Sequence, residues 1–289
     1  MRSGRTSCLA NLWPRAIATT SIAGRVGAIL GPAAGGYLYA AGQSLPYDTS
    51  AVLYAASFFC MFQIRPIVIP PMDQTQSRWR QMMDGLHYVF QNKIVLGAIS
   101  LDLFAVLLGG ATAMLPIYAR DILEVGPSGL GSLRAAPAVG AVLSAVWFSY
   151  RPLRQNIGVK MFLAVGIFGI TTVAFGLSRS MPLSLVCLAI LGAADMLSVY
   201  VRQTLVQIFT PDEKRGRVGA VAILFVSASN ELGEAESGFL AAMIGPVAAV
   251  VSGGVGAILV AVLWAYWFPS LRKADSLDGK EPGAERRTA

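Results

Sequence analysis

Charge, histidine and cysteine are all scarce in this chain. Charged residues make up 13% of its 289 positions, against roughly 25% in an ordinary soluble domain. Hydrophobic residues make up 55%, and the mean hydropathy is +0.59. So few charges exclude a fold whose whole surface meets water. The one histidine, His87, removes most histidine-based catalytic and metal constellations. Cys8, Cys60 and Cys187 stand far apart with no C-x-x-C spacing, so neither a metal site nor a disulfide framework is indicated. No G-x-x-x-x-G-K-[ST] and no H-E-x-x-H occur, so neither direct use of ATP nor enzyme chemistry is expected, and no cofactor is implied. Arg2 and Arg5 are not followed by a compact apolar stretch with a small-residue cleavage site, so no cleavable signal is read.

What the chain does have is long apolar runs. Thirty glycines and fifteen prolines lie inside them without a collagen-like period, which is how packed transmembrane helices use these residues. Eight segments are long enough to cross a hydrocarbon core of ~30 Å. They run at about 16–41, 51–69, 94–118, 133–148, 159–177, 183–209, 218–244 and 247–268. The gaps between them, chosen by hydropathy alone, alternate without exception between rich and poor in lysine and arginine. Eighteen basic residues fall on one side and two on the other. By the positive-inside rule the eighteen are cytoplasmic, so both termini are expected inside. The net charge of +7 then records orientation in a lipid bilayer, with no nucleic-acid partner implied. The longest internal gap, 70–92, opens on Pro70-Pro71. It carries Trp79, Met82, Met83, Leu86, Val89 and Phe90 at helical spacing, which predicts a linker leading into an interfacial amphipathic helix. His87 in that segment reads as a solvated residue, with a proton-relay role as the alternative.

Two stretches 202 residues apart match in their small residues and leucine: Gly31-Pro32-Ala33-Ala34-Gly35-Gly36-Tyr37-Leu38 and Gly233-Glu234-Ala235-Glu236-Ser237-Gly238-Phe239-Leu240. An even number of spans separates them, as in a parallel repeat of two six-helix halves; chance in a Gly/Ala-rich chain is the competing reading. Gly27, Gly31 and Gly35 form a flat ridge on the first span, and Ser229, Gly233 and Ser237 form one on the seventh. Small-xxx-small faces of this kind let helices approach closely in lipid. Ser132, Ala136, Gly140 and Ser144 on the fourth span form a matching ridge, a candidate partner for the first.

The run Gly27-Ala28-Ile29-Leu30-Gly31-Pro32-Ala33-Ala34-Gly35-Gly36 resembles the G-x-x-x-G-P-x-x-G-G signature on the fifth helix of major facilitator superfamily antiporters. The basic stretch Tyr150–Lys160 looks like that family's loop between helices eight and nine. Thr210–Val218 followed by Ser229–Glu234 is similar to helices ten and eleven of its enterobactin-exporter-like, drug-efflux branch. The resemblance implies an all-α membrane protein with a major-facilitator-type helical bundle, whose eight predicted spans correspond to helices five to twelve of twelve. Helices one to four have no counterpart, so a truncated gene, a frameshift or a late start is expected. On this reading residues 1–69 are a two-helix remnant of the N-terminal bundle, 70–93 a cytoplasmic linker, 94–268 a C-terminal six-helix bundle and 269–289 a cytoplasmic tail.

The resemblance also implies a multi-pass protein of the cell inner membrane that exports a small amphipathic molecule, siderophore-like or drug-like, in exchange for protons. A non-transporting fragment, or a subunit whose partner supplies the missing helices, is the alternative. An ionisable residue at membrane depth costs ~2.5–3.5 kcal/mol on insertion scales, so each has a reason to be there. Arg25, Asp102, Asp195, Arg202, Glu231, Glu234 and Glu236 are the candidates. Glu231 and Glu234 share a helix face and could hold a shared proton, with Asp102 as a third cavity acid. Alternatively these acids pair with Arg25, Arg202 or backbone groups to fix packing. Asp195 and Arg202 are two turns apart, too far for a direct pair, and Arg202 is expected near headgroups or against an acid such as Glu213. Arg134 is read as snorkelling at the outer interface. Gly109-Gly110, Pro116, Pro137 and Pro182 are expected kinks or helix starts.

Overall fold

The computed structural model describes Gly27 and residues 30–63, 78–151 and 156–272. Among these there are helices and no strands. Helix α1 (residues 30–41) and α2 (Leu45–Phe62) come first, then α3 (Arg78–Gln91) and α4 (Lys93–Leu108). A short α5 (Leu115–Ile117) leads to α6 (Gly126–Tyr150), α7 (Ile157–Leu177), α8 (Met181–Ile208), α9 (Asp212–Ile244), α10 (Pro246–Trp267) and α11 (Pro269–Arg272). Among the described residues, six stretches are long and apolar enough to cross a membrane: Lys93–Ile122, Gly126–Tyr150, Ile157–Leu177, Met181–Ile208, Asp212–Ile244 and Pro246–Trp267. They match the expected third to eighth spans. The expected first span is described only over its C-terminal half, as α1, and the second is the apolar α2.

Local chemistry sets the boundaries. The Asn92 side chain accepts from the backbone N–H groups of Ile94 and Val95, both at 3.1 Å, and so caps α4. Pro127 at the first turn starts α6 seven residues before the expected boundary, because its fixed φ suits a first turn and its missing N–H is no loss there. Arg134 consequently sits two turns inside α6, exposed. Helix α9 also starts early, at Asp212: Asp212 and Glu213 sit at the positive end of its dipole and hold a polar first turn helical. It ends at Gly245, whose φ of +87° turns the chain directly into Pro246 of α10.

Helix α4 is the hub of the bundle, touching α3, α7, α8, α9 and α10, while α6 packs on α8 and α7 on α10. It stops at Gly109-Gly110 and continues through a 3₁₀ turn (Ala111–Met114), α5 with Pro116, and a π turn (Tyr118–Ile122). Glycine is required at 110, where a Cβ would lie 2.1 Å from Ser237 Oγ and 2.8 Å from the Gly233 carbonyl. The ridge Ser229, Gly233 and Ser237 is therefore buried against the break in α4. The α6–α8 crossing is equally close, with Gly140 against the Ala189 carbonyl and Gly192 against that of Pro137. Ser144 Oγ donates to the Ala193 carbonyl at 3.1 Å.

Apolar side chains fill the two halves of the bundle. Leu101, Met161, Leu205 and Trp264 form one cluster, and Met114, Tyr118, Leu133, Phe175 and Leu188 the other. The polar tips of two buried aromatic side chains are satisfied: Trp264 Nε1 donates to Ser100 Oγ at 2.8 Å and the Tyr118 hydroxyl to the Gly176 carbonyl at 2.7 Å.

The amphipathic α3 lies on α9 and α4. Val89 is buried and Met82 and Leu86 pack with it, but Trp79 and Phe90, expected on the same face, are 67% and 60% exposed. The helix is latched by Asp84 to Arg217 at 3.2 Å and by the Tyr88 hydroxyl donating to the Phe209 carbonyl. His87 is exposed and bonded to Gln91 at 2.8 Å.

Helix α1 touches α6 at one end of the ridge expected to receive it: Gly36 meets Gly131, and the Tyr37 and Ser132 hydroxyls are 3.4 Å apart. The rest of that ridge, Gly140 and Ser144, belongs to α8. Gly27, Gly31 and Gly35 have nothing within 4 Å of a Cβ position among the described residues, and no residue of α2 is buried.

Candidate functional site

Three ionisable side chains meet in the middle of the bundle. Asp102 lies nine residues into α4, ~14 Å from its start at 1.5 Å per residue. It is 3% exposed, and its Oδ2 is 3.2 Å from Nη1 of Arg202 on α8, itself 6% exposed. Arg202 does not reach for headgroups or Glu213; it makes the pair with a membrane-depth acid, Asp102, that the sequence offered as the alternative. At this depth an unpaired guanidinium is costly, and the carboxylate of α4 is the charge within reach. Removing one member of such a buried pair costs about 3–5 kcal/mol, because the other is left uncompensated.

Asp195 stands two turns before Arg202 on α8 and does not pair with it. It lines a cavity of about 310 Å³ bounded by the α4 break at Gly109–Thr112, by Pro137 and Ala138 of α6, by Phe168 of α7, and by Asn230 and Glu234 of α9. The walls are mostly apolar with a few convergent polar groups, the usual make-up of a small-molecule site. Arg202 borders a second cavity, of about 570 Å³, whose wall is again mostly apolar, with Val206, Ala222, Ile223 and Val226 beside Gln203 and Arg215. On one face of α8, Asp195 thus borders one cavity and Arg202, paired to Asp102, borders the other.

The other expected site residues divide. Glu234 reaches the first cavity. Glu231, one turn earlier, lines neither cavity; both glutamates are exposed, and only the cavity wall separates the two acids that share a helix face. Glu236 is half-buried. None of these three glutamates makes an ion pair among the described residues. Of the antiporter-like motif, Gly36 and Pro32 lie against Gly131, while Gly27, Gly31 and Gly35 meet nothing among the described residues; Arg25 lies outside them. Sequence reasoning missed Ser198 and Asn230 because it ranked charges only. Asp195, Ser198 and Arg202 fall at i, i+3 and i+7, one helix face, and that spacing was the available signal.

The profile of a family described as transmembrane secretion effector matches residues 9–284. The enterobactin exporter EntS of Escherichia coli O127:H6 is 26% identical over 268 residues, covering 89% of this chain and 61% of the relative. The exporter of the same name from Shigella boydii serotype 18 is 26% identical over 266 residues, with the same two shares. The chain therefore spans about three fifths of the length of these curated relatives.

Proposed function

Because this chain belongs to the transmembrane secretion effector family of the major facilitator superfamily, we propose that it takes part in exporting a small amphipathic molecule, siderophore-like or drug-like, across the inner membrane in exchange for protons. The observation that carries this reading is the buried Asp102–Arg202 pair, with a mostly apolar, acid-bearing cavity beside Asp195 and a second, also mostly apolar, cavity beside Arg202. The first cavity holds the substrate, its aromatic and aliphatic walls taking the apolar body and Asn230 and Glu234 fixing orientation. Glu234 and Asp102 hold the coupling proton, since a carboxylate in a low dielectric is neutralised either by a proton or by a cationic partner. Glu231 acts with Glu234 only in a conformation that brings both to the cavity. The α3 end of the bundle, with the basic stretches around Arg151 and Lys214, faces the cytoplasm together with both termini. Residues 94–268 form the C-terminal bundle, and α1 and α2 belong to a separate N-terminal one.

The test is efflux of an amphipathic dye, ethidium, from liposomes containing the chain under an imposed pH gradient. Movement that stops when the gradient is collapsed, and that Glu234→Gln abolishes, supports the reading. Movement indifferent to both contradicts it.

A second reading is favoured by one observation: no residue of α2 is buried, although Val52, Leu53, Phe58 and Phe62 are large and apolar. On that reading the chain is a subunit that transports only with further helices laid against α1 and α2. Its signature is an inactive chain that becomes active when a four-helix N-terminal segment of a relative is co-expressed.

A further inference from the structure

The cavity of about 570 Å³ beside Arg202 is given no occupant by the export reading, and its charges are opposite in sign to those of the first cavity. Asp195 and Glu234 face the first, with no basic side chain in its wall. Arg202 and Arg215 face the second, with no acidic side chain in its wall. This second cavity is a groove between α8 and α9, which hardly touch one another. Its α9 side is formed by residues recurring at helical spacing from Arg215 to Val226, ~16 Å at 1.5 Å per residue. Arg202 is 6% exposed, whereas Arg215 lies in the first turn of α9 with its side chain half exposed, so it stands at the rim. Both arginines have acidic partners, Asp102 and Asp212, but neither partner lines the groove. A guanidinium carries five donors, so one carboxylate does not exhaust it. Nε of Arg215 donates to the Gln207 carbonyl at 3.0 Å, which holds the rim guanidinium against α8.

We infer that this groove binds a single-chain amphiphile with a carboxylate head, of the fatty-acid type. The head sits at the rim on Arg215, whose planar fork matches a carboxylate with two parallel hydrogen bonds. The amides of Gln203 and Gln207 flank that position, and the alkyl chain lies inward on Val206, Ala222, Ile223 and Val226. The rim is favoured over Arg202 for a physical reason. The Arg215–Asp212 pair is exposed, with 81% of the Asp212 side chain in solvent, and such pairs are worth little, so an incoming carboxylate displaces Asp212 at small cost. The Asp102–Arg202 pair is buried, and breaking it is expensive. Arg202 therefore stays with Asp102 and contributes its charge to the potential inside the groove. A cationic amphiphile meets two guanidinium groups and no acid there, and a neutral one gains nothing from either. This site concerns a different cavity from the one assigned to the exported molecule, so it does not rest on the antiport reading.

Photolabelling of the whole chain in lipid nanodiscs tests the site, with dodecanoate carrying a diazirine at the end of its chain as the probe and peptide mapping as the readout. The label is expected on the α9 wall around Ala222, Ile223 and Val226, and unlabelled dodecanoate should displace it where dodecanol and dodecylamine do not. Arg215→Gln should weaken binding about tenfold, the worth of a hydrogen bond to a charged group, and Arg215→Lys should recover part of that by keeping the charge. Arg215 is exposed, so its replacement leaves the bundle intact. Ala222→Trp, which fills the groove without touching either arginine's charge, should abolish the labelling. Label confined to other helices, displacement by the alcohol or the amine as good as by the acid, or binding unchanged in Arg215→Gln overturns the inference. Displacement by phosphatidylglycerol as effective as by dodecanoate assigns the groove to bilayer lipid and overturns it as well.

Discussion

Two ridges of small residues, one on α1 and one on α9, share a spacing and a sequence pattern but not a structural role. On α9, Ser229, Gly233 and Ser237 are buried, and Gly233 lies so close to α4 that a Cβ would sit 2.9 Å from the Leu107 carbonyl. On α1, Gly27, Gly31 and Gly35 have open space at the same distance among the described residues, while Pro32, Ala33 and Gly36 meet the backbone at Gly131. A ridge of glycine and serine is permission for close approach and not a cause of it; the partner decides. For α9 that partner is the broken α4, whose Gly109-Gly110 step lets two backbones meet beside the cavity holding Asp195 and Glu234. The same contact that packs the bundle therefore places the acids.

This contrast can be broken by substitution, with stability read from helix loss in a detergent titration. The largest effect is expected at the buried ion pair that the packed side supports. Arg202→Ala should cost about 3–5 kcal/mol by stranding Asp102, and the double change Arg202→Ala with Asp102→Ala should recover a good part of it. A double variant no more stable than the single one would show that the two charges do not act as a pair. Next comes Gly233→Leu, which forces α9 away from the α4 carbonyls and should cost about 1–3 kcal/mol. Gly36→Leu should be milder still, shifting α1 away from Gly131 without unfolding the six spans. Gly31→Leu should change stability by no more than about 0.5 kcal/mol, as surface substitutions do; a large loss there would mean that α1 has a partner in the chain and that the two ridges are equivalent after all.

Much of this arrangement was readable from the sequence. The six long spans follow from hydropathy, the break in α4 from two adjacent glycines, and α3 from its helical period. What could not be read was which charges meet. Asp102 and Arg202 are one hundred positions apart on different helices, and no periodicity within one helix reveals a partner on another. Glu231 and Glu234 illustrate the opposite limit. Three residues apart, they share a face, yet the cavity wall falls between them, because its edge is set by where α4 breaks and α6 crosses. The outward turn of Trp79 and Phe90 on α3 was hidden for a similar reason: α9 and α4 cover only part of the apolar face.

The central claim is exchange of protons for substrate, and internal pH reports it without an imposed gradient. Liposomes containing the chain are loaded with ethidium and the pH dye pyranine at equal pH inside and out. Antiport predicts that ethidium leaving will draw protons in and acidify the lumen, and that Glu234→Gln will abolish both signals. Ethidium leaving through the chain with no change in internal pH would contradict the account.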